Sequence, residues 1–133
     1  TKVFQALRII VNIEISELIN GLIDGFKLLP IGGVVVIVTF HSIEDRIVKF
    51  FLKHYSENKN FSRYLPPSVE RKNLFKLINK KPIIPSVEEI KLNPASRSAK
   101  LRYGIKLNNH SDFSELTKKF NYLLDIEKLA IGI

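Results

Sequence analysis

The chain has 133 residues, 45% of them hydrophobic, so it can bury the core of about one domain. It contains no cysteine, which excludes disulfides and thiolate metal sites and fits a reducing cytoplasm, the location we expect. The formal net charge is +8, and residues 51–109 carry thirteen basic and four acidic side chains. Such a basic segment indicates either attraction to phosphate backbones or a lysine-rich solvated surface, and charge alone does not decide between them.

The chain begins at Thr1 and contains no methionine, so we expect a processed product or a piece of a longer protein. No basic segment followed by an apolar one opens it. The longest uncharged stretch, residues 28–43, is interrupted by a proline and glycines and is shorter than the ~20 apolar residues that a spanning helix needs. We therefore expect a soluble protein without a membrane partner.

The first thirty residues predict one long helix. Apolar residues recur at steps of three and four from Phe4 to Leu29, and these positions share one helix face. Isoleucines at neighbouring positions widen this surface, so we expect the helix to be covered on more than one side. A second, polar row at similar steps includes Arg8 and Asn12.

An apolar run from Val34 to Phe40 predicts a strand buried on both faces, as in a parallel sheet covered by helices. Ser42 is a good helix N-cap, and Asp45 three residues later completes a capping box. The next helix would bury an apolar stripe and expose the basic residues Arg46, Lys49 and Lys53. This order of helix, glycine-rich turn, buried strand and helix is an α/β pattern.

The second half of the chain predicts shorter elements. Residues 56–73 are polar, contain two adjacent prolines, and predict a surface loop or small insertion. A short strand is expected at Leu74–Ile78, and a helical turn capped by Ser86. "KLRYGIKL" (100–107) alternates between apolar and basic residues, which predicts a half-exposed antiparallel strand with the basic side outward. Residues 111–129 carry apolar residues at helical spacing.

Two segments are dense in residues suited to chemistry. His41 and Ser42 follow a predicted buried strand, and open α/β sheets bind ligands at such strand ends. For Ser42 helix capping is the main expectation, whereas functional and structural roles for His41 stay equal alternatives. No G-x-S-x-G turn occurs, and the three histidines are far apart in sequence, so neither hydrolysis nor a metal site is expected. The second segment is "NPASRSAKLR" (93–102), whose cations and hydroxyls are suited to binding phosphates: Ser96, Arg97, Ser98, Lys100 and Arg102.

Four segments, in this order, resemble motifs of the RsmH family, also called MraW. They are "FQALRIIVN" (4–12), "LLPIGGVVVIVTFHSIEDRIVKFF" (28–51), "NKKPIIPSVEEI" (79–90) and "NPASRSAKLR" (93–102). Members of this family are S-adenosyl-L-methionine (AdoMet)-dependent methyltransferases that modify the exocyclic 4-amino group of a cytidine in 16S ribosomal RNA of the small ribosomal subunit. The resemblance covers about Val3 to Lys106, and four ordered motifs make it specific.

The resemblance implies the C-terminal half of a Rossmann-like class I methyltransferase sheet, with a parallel strand, an antiparallel edge hairpin and flanking helices. Residues 1–107 would be the C-terminal part of the methyltransferase domain, and residues 108–133 a C-terminal helical extension. AdoMet would be bound mainly by the missing N-terminal half, so no cofactor-binding residue is expected downstream of Thr1. We expect the isolated chain to be inactive.

The resemblance, together with position and chemistry, also gives the site residues. His41, Ser42 and Asp45 would form one wall of the methyl-transfer pocket. The RNA contacts would be Arg8, Asn12, Arg46, Arg97, Ser98, Lys100 and Arg102. Two alternatives stay open: a basic RNA-binding module without catalysis, and a structural part that forms a homodimer through residues 108–133.

Overall fold

A computed structural model describes residues 2–56, 73–109 and 112–131. They belong to two compact units, one of residues 1–26 with 111–133 and one of residues 27–110. The loop predicted at 56–73 lies outside the described residues except at its two ends. The described helices and strands follow this order: α1 (Lys2–Val11), α2 (Glu14–Leu28), β1 (Val34–Thr39), α3 (Ser42–His54), β2 (Phe75–Lys76), α4 (Val87–Leu92), a 3-10 helix (Pro94–Ser98), β3 (Lys100–Lys106), α5 (Ser114–Lys119) and α6 (Asn121–Ile131).

The first unit begins with two helices, so the prediction of a single long helix was wrong. The break lies at Asn12 and Ile13, and Ile13 has a left-handed backbone with φ of 53°. The carboxylate of Glu127 on α6 accepts hydrogen bonds from the backbone N–H groups of Ile15 and Ser16 at 2.8 and 3.1 Å. These are among the donors that the first turn of a helix leaves without an internal partner. A distant acceptor therefore supports a new helix start inside an otherwise helical sequence.

The core of the first unit joins α2 to the C-terminal helices. Its fully buried side chains include those of Ile15 and Phe26 on α2 and those of Leu116 and Phe120 in the tail. The ring of Phe26 meets the ring of Phe113 edge to face, with centroids 5.1 Å apart. The predicted tail helix is divided into α5 and α6. Much of the apolar stripe of the tail is thus buried inside its own unit.

The second unit contains a three-stranded sheet in the order β1-β3-β2. Both pairings are antiparallel, with Val34 opposite Ile105, Thr39 opposite Lys100, and Phe75 opposite Lys106. The α/β class and the antiparallel direction of β3 are confirmed. The predicted parallel pairing does not occur among the described residues, and β3 is central there rather than at an edge.

The prediction that β1 is buried on both faces was wrong for the described structure. Val34, Val36 and Val38 are exposed by 51%, 56% and 47%, whereas Thr39, at the end of the alternate row, is 2% exposed. Side chains alternate between the faces of a strand, so burial on one face alone produces this pattern. The covered face is the one toward α3, and β1 is an edge strand of the described sheet.

The basic side of β3 lies on the α3 side of the sheet, contrary to the prediction that it points outward. A side chain added at Gly104, in the same row, would come 3.5 Å from Leu52 of α3. Lys106 is 1% exposed, and its ammonium donates to the carbonyl of Leu29, just after α2, at 2.6 Å. A cation at a helix C-terminus is electrostatically favourable, which offsets part of the cost of burying it.

Two helix predictions in the second unit are confirmed. The helix predicted to follow β1 is α3, and its apolar stripe includes the buried Ile47, Val48 and Phe51. Ser86 caps α4, since its hydroxyl accepts from the N–H of Glu89 at 3.1 Å. Within the described ranges, no helix is both long and apolar enough to cross a membrane.

Candidate functional site at the end of β1

The helix α3, which follows β1, is capped by His41. The prediction that Ser42 is the N-cap was therefore wrong. His41 has an extended backbone, and its Nδ1 accepts from the N–H of Glu44 at 3.3 Å. The helix starts one residue earlier than expected, which leaves Ser42 exposed at its first position. Ser42 is therefore exposed to solvent, and its hydroxyl does not form the helix cap.

Glu44 completes this cap in place of Asp45. One of its carboxylate oxygens accepts from the N–H of Phe40 at 3.2 Å, and the other lies 2.7 Å from Nε2 of His41. Because Nδ1 of His41 accepts an N–H, the neutral imidazole carries its proton on Nε2 and can donate to Glu44. The His41 side chain is 4% exposed, so this cap is formed from a buried position.

Asp45 is held by two cations of β3. Its two carboxylate oxygens accept from Nε and Nη2 of Arg102 at 2.8 and 3.1 Å, and the ammonium of Lys100 is 3.7 Å away. The side chains of Asp45 and Arg102 are only 11% and 10% exposed. Such bidentate pairing combines charge with fixed geometry. We call this pair the Asp45–Arg102 brace, since it ties the first turn of α3 to the central strand.

The brace also sets the charge of Asp45. Burial alone would raise the pKa of this carboxyl, but the hydrogen bonds and positive charges of Arg102 and Lys100 outweigh it and lower the pKa below its usual value. Asp45 is therefore ionised at neutral pH. A carboxylate with a lowered pKa is a poor general base, so the geometry favours a positioning role.

The predicted RNA contacts fall into both units. Arg46, Arg97 and Ser98 are exposed in the second unit, where Lys100 is half-exposed beside Asp45. Arg102 is taken up by the brace, so its guanidinium is not presented to a ligand in the way predicted. In the first unit Asn12 is exposed, and Nε of Arg8 lies 3.2 Å from the carboxylate of Glu14.

Sequence reasoning missed two residues at this strand end. Glu44 could have been found, since it stands three residues after His41 as the acidic member of a capping box does. Thr39 is 2% exposed, and its hydroxyl has no hydrogen-bond partner among the described residues. A buried hydroxyl without a partner is costly. No pattern in the sequence marks Thr39, because it ends an apolar run.

Comparison with known proteins gives the context of this site. A family model described as the MraW methylase family matches residues 1–107. Proteins named ribosomal RNA small subunit methyltransferase H are similar to this chain. The one from Xanthobacter autotrophicus is 45% identical over 108 residues, which are 81% of this chain and 31% of the relative. The one from Agrobacterium fabrum is 48% identical over 106 residues, which are 80% and 31% of the two chains.

A third relative of the same name, from Rhizobium rhizogenes, is 42% identical over 130 residues, or 98% of this chain and 37% of the relative. Its alignment therefore extends past residue 107 into the C-terminal helices. The chain spans about a third of the length of these curated relatives. Because the family model covers most of the sequence, the chain belongs to the MraW methylase family.

Proposed function

We propose that this chain is the C-terminal part of a methyltransferase that acts on small-subunit ribosomal RNA. The observation that carries the proposal is the match of residues 1–107 to the MraW methylase family, whose similar members are named for that activity. We extend the proposal to an AdoMet-dependent transfer onto the exocyclic 4-amino group of a cytidine. Transfer of a methyl group in line depends mainly on positioning the two reactants.

The proposed contribution of this chain is one wall of the site, at the end of β1. His41 and Glu44 fix the strand end, and the Asp45–Arg102 brace fixes the helix behind it. Ser42 is the exposed hydroxyl of this wall. In this proposal the brace positions the wall, and no residue of it removes a proton by itself.

The described residues of this wall do not fit an AdoMet site. Asp45 is paired with Arg102, and Glu44 is engaged with the N–H of Phe40 and with His41. Neither carboxylate is thus available for ribose hydroxyls. We assign the cofactor site to the remaining two thirds of the protein and expect the isolated chain not to bind AdoMet.

The exposed face of β1 supports a place inside a larger sheet. A row of valines that is half exposed on an edge strand is a liability for a protein on its own. In the proposed full-length protein, further strands and helices would cover this edge and face and would supply the Rossmann-like parallel pairing. We do not extend the proposal to a homodimer, because Phe113, Leu116 and Phe120 of the tail are buried in their own unit.

A chimera tests this proposal directly. In the Rhizobium rhizogenes relative, the segment aligned with this chain is replaced by the chain itself, and transfer of labelled methyl from AdoMet to small-subunit RNA is measured. The chimera is expected to methylate the RNA, and an Arg102→Gln chimera to be impaired. A chimera that is folded by circular dichroism but transfers no methyl would contradict the proposal.

The alternative function is a basic RNA-binding module without catalysis, which the charge of +8 favours. Calorimetry of the isolated chain helps to distinguish it from the proposed methyltransferase. The chain alone is expected to show no heat of AdoMet binding. RNA binding by the chain together with an inactive chimera would favour the alternative. Clear AdoMet binding by the chain would contradict our assignment of the cofactor site.

A further inference from the structure

The outer side of α3 presents a row of cations. Arg46, Lys49 and Lys53 are exposed and stand three and four residues apart, which places them on one helix face. The opposite face is fixed by the packing of Ile47, Val48 and Phe51, which are fully buried. The helix therefore cannot rotate its basic face inward without exposing its apolar stripe.

The fold adds a cation from a distant part of the sequence. Lys80 is exposed in the segment between β2 and α4, and its positive charge is one of those that lower the pKa of Lys53. Burial lowers the pKa of Lys53, and the positive charges of Lys49, Arg102 and Lys80 lower it further, while Asp45 opposes them. Among the described residues, Asp45 is the one carboxylate that acts on Lys53, and it is already paired with Arg102.

Internal stability does not account for this arrangement. Lys49, Lys53 and Lys80 have no ion-pair partner among the described residues. Like charges one helical turn apart are destabilising. A set of exposed cations without internal partners fits a polyanion, and a nucleic-acid backbone offers phosphates in a row.

We propose that Lys49, Lys53 and Lys80, here called the lysine surface, bind the phosphate backbone of the RNA substrate. The inference rests on the proposed function, because RNA is the polyanion that function supplies. Arg102 was predicted to contact RNA, but it is occupied by the Asp45–Arg102 brace. The lysine surface takes over this role, although the sequence analysis had not assigned its three lysines to RNA binding. Arg46, on the same helix face, extends the lysine surface toward the end of β1.

The test compares two triple variants of equal charge. Lys49→Gln, Lys53→Gln and Lys80→Gln are combined in one, and Lys91→Gln, Lys118→Gln and Lys128→Gln, all exposed lysines elsewhere, in the other. Binding of a short fluorescein-labelled single-stranded RNA is measured by fluorescence anisotropy over a range of salt concentrations. Circular dichroism verifies folding, and the single Lys53→Gln variant replaces the triple variant if the latter unfolds.

The lysine-surface variant is expected to bind the RNA at least about tenfold more weakly, and its plot of log affinity against log salt to be flatter by about 2, which is three lost single-strand phosphate contacts. The other variant is expected to change both quantities much less. Equal losses in the two variants would overturn the inference. So would phosphatidylglycerol vesicles that displace the labelled RNA as well as unlabelled RNA does.

The two proposals fail separately. If the chimera methylates RNA but the lysine-surface variant binds RNA normally, the lysine surface is wrong and the proposed function stands. If the variant loses RNA binding but the wild-type chimera transfers no methyl group, the lysine surface stands and the methyltransferase proposal is wrong.

Discussion

Arg102 in the central strand holds Asp45 in the first turn of α3 through two hydrogen bonds, of 2.8 and 3.1 Å, between largely buried groups. Because Arg102 lies in the sheet and Asp45 in the first turn of α3, the brace fixes α3 on the sheet. It also fixes the end of β1 at His41, which directly precedes α3. A bidentate pair needs the planar guanidinium, which lysine does not provide.

Replacing Arg102 by glutamine is expected to lower the free energy of unfolding by about 3 kcal/mol, because it leaves the buried carboxylate of Asp45 without its main partner. Lysine at this position should restore only part of the loss. Urea unfolding measures both, and Arg97→Gln, which removes an exposed cation nearby in sequence, should change stability by less than about 0.5 kcal/mol. Additive effects of Asp45→Asn and Arg102→Gln in a double-mutant cycle would contradict the brace.

The lowered pKa of Asp45 predicts how stability depends on pH. Burial opposes ionisation, but Arg102 and Lys100 outweigh it, so the folded state holds the proton more weakly than the unfolded chain. The stabilisation is therefore complete above the unfolded pKa of about 3.9 and is lost as pH falls through the lower folded pKa.

Urea unfolding at several pH values checks this dependence. The stability difference between the wild type and Asp45→Asn should be constant from about pH 5 to pH 7 and should shrink below about pH 4. Asp24→Asn, at an exposed position of α2, should show no such dependence. A difference that grows as the solution becomes more acidic would contradict the lowered pKa.

Local patterns predicted what local contacts decide. The apolar stripe of α3, the Ser86 cap of α4 and the antiparallel β3 follow from spacing and capping chemistry, and the structure has all three. The alternation in β3 also showed that its two sides differ. It could not show which side is covered, because Arg102 and Lys106 are buried only through partners supplied by Asp45 and by the end of α2.

Contacts between distant residues account for the other differences. Just after the break between α1 and α2, the N–H of Ile15 donates to the carboxylate of Glu127, more than a hundred residues further along the chain. The apolar periodicity near Ile13 does not predict this break. The alternating exposure of β1 has a similar origin. An apolar run indicates that both faces of a strand can be covered by other elements. Whether Val36 is actually buried depends on which of those elements are present.

Glu127 is expected to stabilise the first unit as a long-range helix cap. Its carboxylate accepts from the N–H groups of Ile15 and Ser16 and from the hydroxyl of Ser16, while the residue is 2% exposed. Glu127→Gln keeps the size but removes the charge and one acceptor. We expect a loss of about 1–2 kcal/mol in the free energy of unfolding.

Hydrogen exchange gives the local measurement for this cap. Amide protection at Ile15 and Ser16 should fall in Glu127→Gln and stay unchanged in Asp125→Asn, which removes an exposed carboxylate from the same helix. Equal effects of the two variants would mean that the charge of α6, and not the contact of Glu127 with α2, matters.

The half-exposed valines of β1 predict that the isolated chain associates with itself. Val36 is 56% exposed on an edge strand, and an uncharged apolar edge pairs readily with other strands. Val36→Lys should raise the soluble fraction of the isolated chain, because a charge on an edge strand opposes such pairing. In the chimera the same substitution should reduce methyl transfer, since we propose that this face is covered in the full-length protein.

Val87→Lys is the control for these two effects. Val87 lies on α4 and is 70% exposed, so a lysine there adds the same charge outside the sheet and should neither raise solubility nor reduce methyl transfer. If both lysines raise solubility equally, net charge rather than the face of β1 governs association, and the proposed place of β1 inside a larger sheet loses its support.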